Sequence, residues 1–253
     1  MINNRVQLVS HTLDPNQTMY RCMRQDHSAA PIVNAVTPGG TFLNENEAEN
    51  LIVKHCLECN KIHWGVLEHA HITLGLYGFP RYAILQLRTH RNCTWDVQSM
   101  RETGKEIIES GRVIYEMFNK INPLARPFVS DEHLSNLAYD EVLKHFALEF
   151  LNVDEHLIVS LAEQLIDYYL RSLKKGFRYE NARALIGDNV RCNAHVTLNL
   201  RHLLHLGSVR LGGDAQDVTR NIVNRMLNET RKVHPETIAW FYSKQPKKLT
   251  LSP

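Results

Sequence analysis

Two stretches of this sequence concentrate side chains that could do chemistry. The first reads Gln86-Leu87-Arg88-Thr89-His90-Arg91-Asn92-Cys93-Thr94-Trp95-Asp96-Val97-Gln98-Ser99-Met100-Arg101. Arg88, Arg91 and Arg101 stand here with His90 and several hydroxyls, directly after an apolar run that reads as a strand. Loops at strand ends are where scaffolds place functional groups. A guanidinium fork matches the oxygens of phosphate and pyrophosphate. Asp96 and Glu102 are the nearby acids, so the stretch suits an anionic ligand. A solvated loop with scattered ion pairs has the same composition.

The second stretch is Asn199-Leu200-Arg201-His202-Leu203-Leu204-His205-Leu206-Gly207-Ser208-Val209-Arg210-Leu211. With Cys192 to Arg210 read as one helix, Val196, Leu200, Leu203 and Leu204 share one face. Arg201, His205, His202, His195 and Asn199 share the other. A plain solvent face would favour Lys and Glu, whereas His, Asn and Arg contact ligands; an exposed histidine-bearing face is the alternative. Gly207 reads as the helix end, which would turn Arg210 away from that face. A third group, Cys56-Leu57-Glu58-Cys59 with His63, His69 and His71, holds half of a zinc pattern. A second C-x-x-C is missing, and two cysteines a turn apart also serve as small buried hydrophobes. No metal is assigned.

The elements that must position these residues follow from pattern. The first forty residues carry Pro15, Pro31 and Pro38-Gly39-Gly40, and read as strands or short helices joined by turns. Asn44 to Cys59 has helix spacing with acids early, where the helix dipole favours them. His71 to Leu76 and Arg81 to Leu87 read as two paired strands separated by Tyr77-Gly78-Phe79-Pro80. Lys105 to Asn119, Leu134 to Phe150, Leu157 to Leu173 and Val218 to Lys232 have helix periodicity, and a polar basic tail begins at Lys244. Mostly helices around a few strands make an α+β fold.

Composition narrows the function. Apolar residues are 43% and charged residues 22% of 253, which is ordinary for a globular protein with a real core. The net charge of +2 gives no bulk case for nucleic acid or membrane binding, so an anion site must be local. The N-terminus lacks an apolar secretory core and no run is long enough to span a bilayer. Five cysteines, thinly spread, do not form a disulfide framework. The expectation is a reduced, cytosolic protein. Neither G-x-G-x-x-G nor a P-loop occurs, so a nucleotide cofactor would be held outside a Rossmann domain.

Taken in order, the motifs resemble those of the flavin-dependent thymidylate synthases (ThyX-type). Thr89-His90-Arg91, seven residues, then Ser99 and Arg101 is similar to the signature R-H-R-x7-S with its terminal arginine. Asn199, Arg201, Leu203, His205 and Arg210 fall on the C-terminal motif N-[AL]-R-x-L-x-[HN]-x5, and Ala215-Gln216 resembles the pair that follows it. Ala182-Arg183 resembles a phosphate-binding Ala-Arg, and His63 with Glu68-His69 an H-x4-E-H. There are departures. Thr89 stands in place of arginine, with Arg88 adjacent. Thr94 replaces Ser, Asp96-Val97 replaces Asn-Glu, and Gly187 stands where Pro is usual.

The resemblance implies one domain over residues 1–253 and a homotetramer with active sites at subunit interfaces. It implies that Glu68, Thr89, His90, Arg91, Asn199, Arg201 and His205 hold FAD. Gln86, Arg88, Gln98, Ser99, Met100, Arg101, Arg183 and Arg210 would hold dUMP. The implied reaction turns dUMP into dTMP, with methylenetetrahydrofolate as one-carbon donor and FAD reduced by NADPH as hydride source. Arg210, rather than a cysteine, would activate the uracil. The rival readings are a non-catalytic anion-, nucleotide- or RNA-binding protein of the same fold, and a synthase with a cysteine nucleophile.

Overall fold

The computed structural model describes residues 4–59, 63–99, 144–146 and 171–244, together with Gly104, Glu106, Glu109, Val113, Gln164 and Tyr168. Strand β1 (Arg5–His11) is followed by helices α1 (Pro15–Gln25) and α2 (Glu45–Ile52), and α2 runs on into a single π turn, Val53–Leu57. The start of α2 is fixed by a capping box. The Asn44 side chain accepts from the Glu47 amide, and the Glu47 carboxylate accepts from the Asn44 amide, so two orphan donors are satisfied reciprocally. The expected helix over Asn44 to Cys59 is thus present.

A 3-10 segment, Trp64–His69, leads into β2 (His71–Pro80), helix α3 (Arg81–Leu87) and β3 (Cys93–Val97). After a short turn of helix, α4 (Tyr179–Ala182), and a 3-10 turn, Arg183–Leu185, come β4 (Arg191–Asn199), α5 (Leu200–Arg210), α6 (Asp217–Thr230) and α7 (Pro235–Lys244). The strands form one antiparallel sheet in the order β1-β2-β4-β3. The fold is α+β.

Two expectations are corrected here. Arg81 to Leu87 is a helix, and the strand before it continues through Tyr77-Gly78-Phe79-Pro80. Ala83, Ile84 and Leu87 are fully buried, a helical i, i+1, i+4 stripe, and Ala, Leu and Gln are good helix formers. The first-turn amides of Arg81 and Tyr82 donate to the Val190 and Asp188 carbonyls at 2.9 Å each, which satisfies donors that a helix start leaves open. The Gln86 to Arg101 stretch therefore leaves a helix, not a strand.

Cys192 to Arg210 is also not one helix. Cys192, Ala194, Val196 and Leu198 are buried while the residues between them are not. That period of two belongs to a strand, and the helix begins only at Leu200.

The chain divides into two compact units. One comprises Met1–Asn4, Tyr77–Gln86 and Val97–Ala194; the other comprises Arg5–Leu76, Leu87–Asp96 and His195–Pro253. In the first, Phe79, Ile84, Phe146 and Ile186 are buried, and Asn193 is the organising polar residue. Its side chain accepts from the Gly78 amide at 3.0 Å and its own amide donates to Gln98 Oε1 at 2.9 Å.

In the second unit, Met19, Ile52, Leu67, Leu203, Leu204, Met226 and Phe241 are buried. Helix α5 packs tightly on α7 because Gly207 has no side chain: a Cβ there would stand 2.6 Å from Phe241 Cζ. Gly207 is a close-approach residue and not a helix terminator. The expected helix at Val218 to Lys232 is present as α6. Those at Lys105 to Asn119, Leu134 to Phe150 and most of Leu157 to Leu173 lie outside the described residues, as does the tail beyond Lys244. No helix among the described residues is long and apolar enough to cross a membrane.

Candidate active site

The site is built at the N-terminal and C-terminal ends of α5. At its start, Asn199 leaves β4 in an extended conformation and its side chain accepts from the His202 amide at 2.8 Å, an N-cap. The Leu200 amide donates to the Ala70 carbonyl at 2.9 Å. This ties the start of the helix to the Trp64–His69 segment, and Arg201 pairs with Glu68 at 2.5 Å. Two motifs far apart in sequence thus meet through a charge-assisted bond.

Toward the C-terminus, Arg210 remains helical and turns inward, contrary to the expectation that a break at Gly207 would point it away. Its Nε and Nη2 donate to His90 Nε2 at 3.2 and 3.0 Å. His90 sits in the turn after α3, its amide 3.2 Å from the Leu87 carbonyl. A ring nitrogen that accepts from a guanidinium is unprotonated, so His90 is neutral, with its proton on Nδ1. Burial lowers its pKa, and the charges of Arg210 and His205 add to that.

His90 belongs to a group of three imidazoles. Its ring centroid lies 6.1 Å from that of His202 and 6.2 Å from that of His205, and those two are 5.8 Å apart. His202 is buried, not on the solvent face assigned to it from the helical wheel. Burial pushes its pKa down to about 4, and His205 and His90 push in the same direction. His195 and Asn199 lie on β4 and not on a helix with it. His202 could have been found from the sequence through its place beside Leu203 and Leu204, once the helix is started at Leu200.

Arg88, Thr89 and Arg91 surround His90 on an exposed turn. Neither Arg88 nor Arg91 makes an ion pair with a described residue, and Arg210 has a neutral imidazole as its partner in place of a carboxylate. The site therefore holds guanidinium charge without a described counter-ion, the arrangement an anionic ligand completes. Sequence reasoning also missed Arg220. It donates to the carbonyls of Gly212, Gly213 and Ala215 and pairs with Asp217 at 2.7 Å, fixing the loop that follows Arg210.

Cys93 lies next to this turn. Its thiol donates to the His90 carbonyl at 2.9 Å and its sulfur accepts from Trp95 Nε1 at 2.9 Å. Burial raises its pKa, with the Trp95 bond opposing, so Arg91 does not make a thiolate of it. Cys56 is fully buried with its pKa pushed up to about 11. Among the described residues no three His, Cys, Asp or Glu side chains form a metal-holding group.

The residues assigned to FAD, namely Glu68, Thr89, His90, Arg91, Asn199, Arg201 and His205, all fall in the second unit with Arg88 and Arg210. Gln86, Gln98, Ser99 and Arg183 fall in the first. Arg183 stands half-buried on the 3-10 turn Arg183–Leu185, and Gln98 uses its carbonyl oxygen to hold β4. Gly187, just past that turn, has φ +76°, a conformation that glycine adopts and proline cannot. Met100 and Arg101 lie outside the described residues.

Comparison with known proteins decides what these pairings belong to. The family model described as thymidylate synthase complementing protein matches residues 7–236. The chain belongs to the flavin-dependent thymidylate synthase family. It is 24% identical to the flavin-dependent thymidylate synthase of Haloarcula marismortui over 93% of this chain and 94% of that protein. It is 30% identical to that of Pyrococcus abyssi over 67% of this chain and 58% of that protein. The fold is similar to that of thymidylate synthase X from Helicobacter pylori, solved with FAD and dUMP. There the TM-score is 0.66 at 16% identity, covering 94% of this chain and 98% of that one. It is also similar to a UMP/dUMP methylase from Streptomyces cacaoi bound with 5-Br dUMP, with a TM-score of 0.60 at 16% identity and 96% of each chain covered. Within the flavin-dependent thymidylate synthase pattern, the residue at the first signature position is Thr89, and the adjacent Arg88 carries the exposed charge.

Proposed function

We propose that this chain is a catalytic thymidylate synthase that converts dUMP to dTMP, with FAD as cofactor, NADPH as reductant and methylenetetrahydrofolate as one-carbon donor. The observation that carries the reading is the Arg210–His90 pair: a guanidinium aimed into the site and held by a neutral acceptor keeps its full charge for a ligand. The family match over both compact units supports a single catalytic domain over residues 1–253. The assembly in this reading is a homotetramer with its sites at subunit interfaces, acting in the cytosol without nucleic acid, membrane or metal.

The residues fit the cofactor. The neutral rings of His90 and His202 offer flat, uncharged contacts, and Arg91 offers a fork for a phosphate. Thr89, His90, Arg91, Asn199, Arg201 and His205 would hold FAD, with Glu68 orienting Arg201. Gln86, Arg88, Gln98, Ser99, Met100, Arg101 and Arg183 would hold dUMP with Arg210. Bound FAD, once reduced, supplies the hydride that completes the methyl group. The protein's own task is to make the uracil ring a carbon nucleophile. Arg210 does this by stabilising negative charge that develops at the ring oxygens, electrostatic stabilisation from a preorganised donor. Arginine does not serve as a base at neutral pH, so Arg210 moves no proton, and His90 fixes its direction.

Flavin binding tests the reading against a non-catalytic anion- or RNA-binding protein of the same fold. Protein incubated with FAD and desalted is expected to keep oxidised-flavin absorption. Folded protein that emerges colourless would count against it.

A further inference from the structure

Arg210 is the last residue of α5. Helix ends fray, because their final carbonyls have no intrahelical partner. An arginine that must keep one direction is badly placed there unless something beyond the helix fixes its turn. The Leu211 amide donates to the Gly207 carbonyl at 3.0 Å, and there α5 stops. Neither Gly212 nor Gly213 takes a positive φ, so the helix lacks the left-handed C′ residue that commonly covers such carbonyls. Two adjacent glycines also bring a large conformational freedom that must be removed.

Arg220, early in α6, supplies the missing donors. Its Nε donates to the Gly212 carbonyl at 3.3 Å, and its Nη2 donates to the carbonyls of Gly213 at 3.1 Å and Ala215 at 2.8 Å. The Gly212 carbonyl also accepts from the Ala215 amide at 3.2 Å, so the loop closes on itself and on the guanidinium together. The remaining arm, Nη1, pairs with Asp217 at 2.7 Å. Asp217 is 95% exposed, and a pair so open to solvent adds little; it orients the fork, and the three carbonyls are what the fork holds. The positive charge also stands beyond the negative end of the α5 dipole. Every arm of Arg220 is thus taken up by the protein itself.

We propose that Arg220 is a positioning residue for Arg210: by tying Gly212, Gly213 and Ala215 to α6, it keeps the last turn of α5 wound and the Arg210 guanidinium on His90. The inference rests on the role given to Arg210 above and adds a residue that acts through it. Without the fork, the carbonyls lose their donors, the last turn unwinds and Arg210 leaves His90. A lysine is a poor substitute, because a single ammonium on a flexible stem does not reproduce the rigid fork that spans three carbonyls.

The test has two readouts on the full chain. The first is the titration of His90 followed by NMR. Burial lowers the His90 pKa, and the charge of Arg210 lowers it further, so Arg210→Ala is expected to raise it. Arg220→Gln is expected to raise it as well, and to add nothing once Arg210 is already alanine, the non-additivity of two residues that act as one. His202 and His205, which also face His90, are the same in every variant. The second readout is kinetic. Arg220→Gln is expected to lower kcat for dTMP formation by about ten- to a hundredfold, the cost of a small misplacement, while FAD content and the rate of flavin reduction by NADPH stay at wild-type values. Arg220→Lys is expected to fall between the two and serves in place of Arg220→Gln if that variant does not fold. An unchanged His90 titration in both variants, or a shift that adds in full to that of Arg210→Ala, would overturn the proposal. So would loss of FAD and of flavin reduction in proportion to dTMP formation, which marks a general structural role. The His90 titration needs no turnover, so it judges Arg220 separately from whether the chain makes dTMP.

Discussion

Arg210 gives two hydrogen bonds to a single atom, His90 Nε2, across 120 residues of sequence. Because burial and the guanidinium itself hold His90 neutral, the pair is not an ion pair. The arginine is oriented without being neutralised. In the proposed reaction that charge is what the uracil ring meets.

Arg210→Ala is therefore expected to abolish dTMP formation while FAD content stays close to wild type. Arg210→Lys is expected to recover only part of the rate, since a point charge lacks the two-pronged geometry. His90→Phe is expected to lower the rate less than Arg210→Ala, because it removes the orienting acceptor and leaves the charge. Wild-type turnover by Arg210→Ala would remove the arginine from the mechanism.

The Glu68–Arg201 pair is partly exposed, with side chains 49% and 27% accessible, and exposed pairs add at most about 1 kcal/mol to stability. Arg201→Ala should thus leave the melting temperature nearly unchanged. If Arg201 contacts the cofactor, the same change should weaken FAD by about tenfold or more, the worth of a charge-assisted bond. Equilibrium FAD titration of the two proteins checks this. Equal affinities would restrict Arg201 to a structural role.

Cys93 is the cysteine inside the signature, and its raised pKa keeps it a thiol at neutral pH. A thiol is a poor nucleophile, since the thiolate is the reactive form. Cys93→Ser is expected to keep most dTMP synthesis. Loss of synthesis in a folded, FAD-loaded Cys93→Ser protein, with a covalent adduct between wild-type Cys93 and a 5-fluorinated substrate, would establish the cysteine route instead.

Acid stability should be governed by buried histidines. His234 is fully buried, bonded through Nδ1 to Asn16 Oδ1 at 2.8 Å, and its pKa is pushed down by burial from 6.5 to about 3. The folded state then binds fewer protons than the unfolded state. Stability is present in full above about pH 6.5 and declines as pH falls from there toward 3, by up to about 1.4 kcal/mol per unit. His202 acts in the same direction. Glu49, buried with its pKa raised by desolvation, opposes them at the acid end, because its protonated form suits the folded state. Melting temperature is expected to fall between pH 7 and pH 5, and His234→Gln to flatten that fall. An unchanged slope in the variant would show that His234 does not control it.

What was legible in the sequence follows from how local each signal was. The helix at Asn44 was readable because its cap, acids and apolar stripe lie within a few residues. The ligand-contacting character of each motif region was readable from residue types unusual for solvent faces, whereas their acting together was implied only by the family resemblance. Misreadings arose where two periods abut. The period-two run Cys192 to Leu198 passes straight into the helix at Leu200, and a single wheel drawn through both put buried His202 outside. Gly207 signals a helix end when read alone, but what decides its role is Phe241 on another helix. Arg210's direction depended on that same fact. The neutral state of His90 required knowing that Arg210 reaches it, which no spacing rule supplies.

The most direct test of the account is dTMP formation by the purified chain from dUMP, methylenetetrahydrofolate and NADPH, with and without added FAD. The account predicts dTMP and tetrahydrofolate in the complete mixture, and neither product when FAD has been stripped and not restored. Folded, FAD-loaded protein that forms no dTMP in the complete mixture, or FAD-free protein that forms it at the same rate, would contradict it.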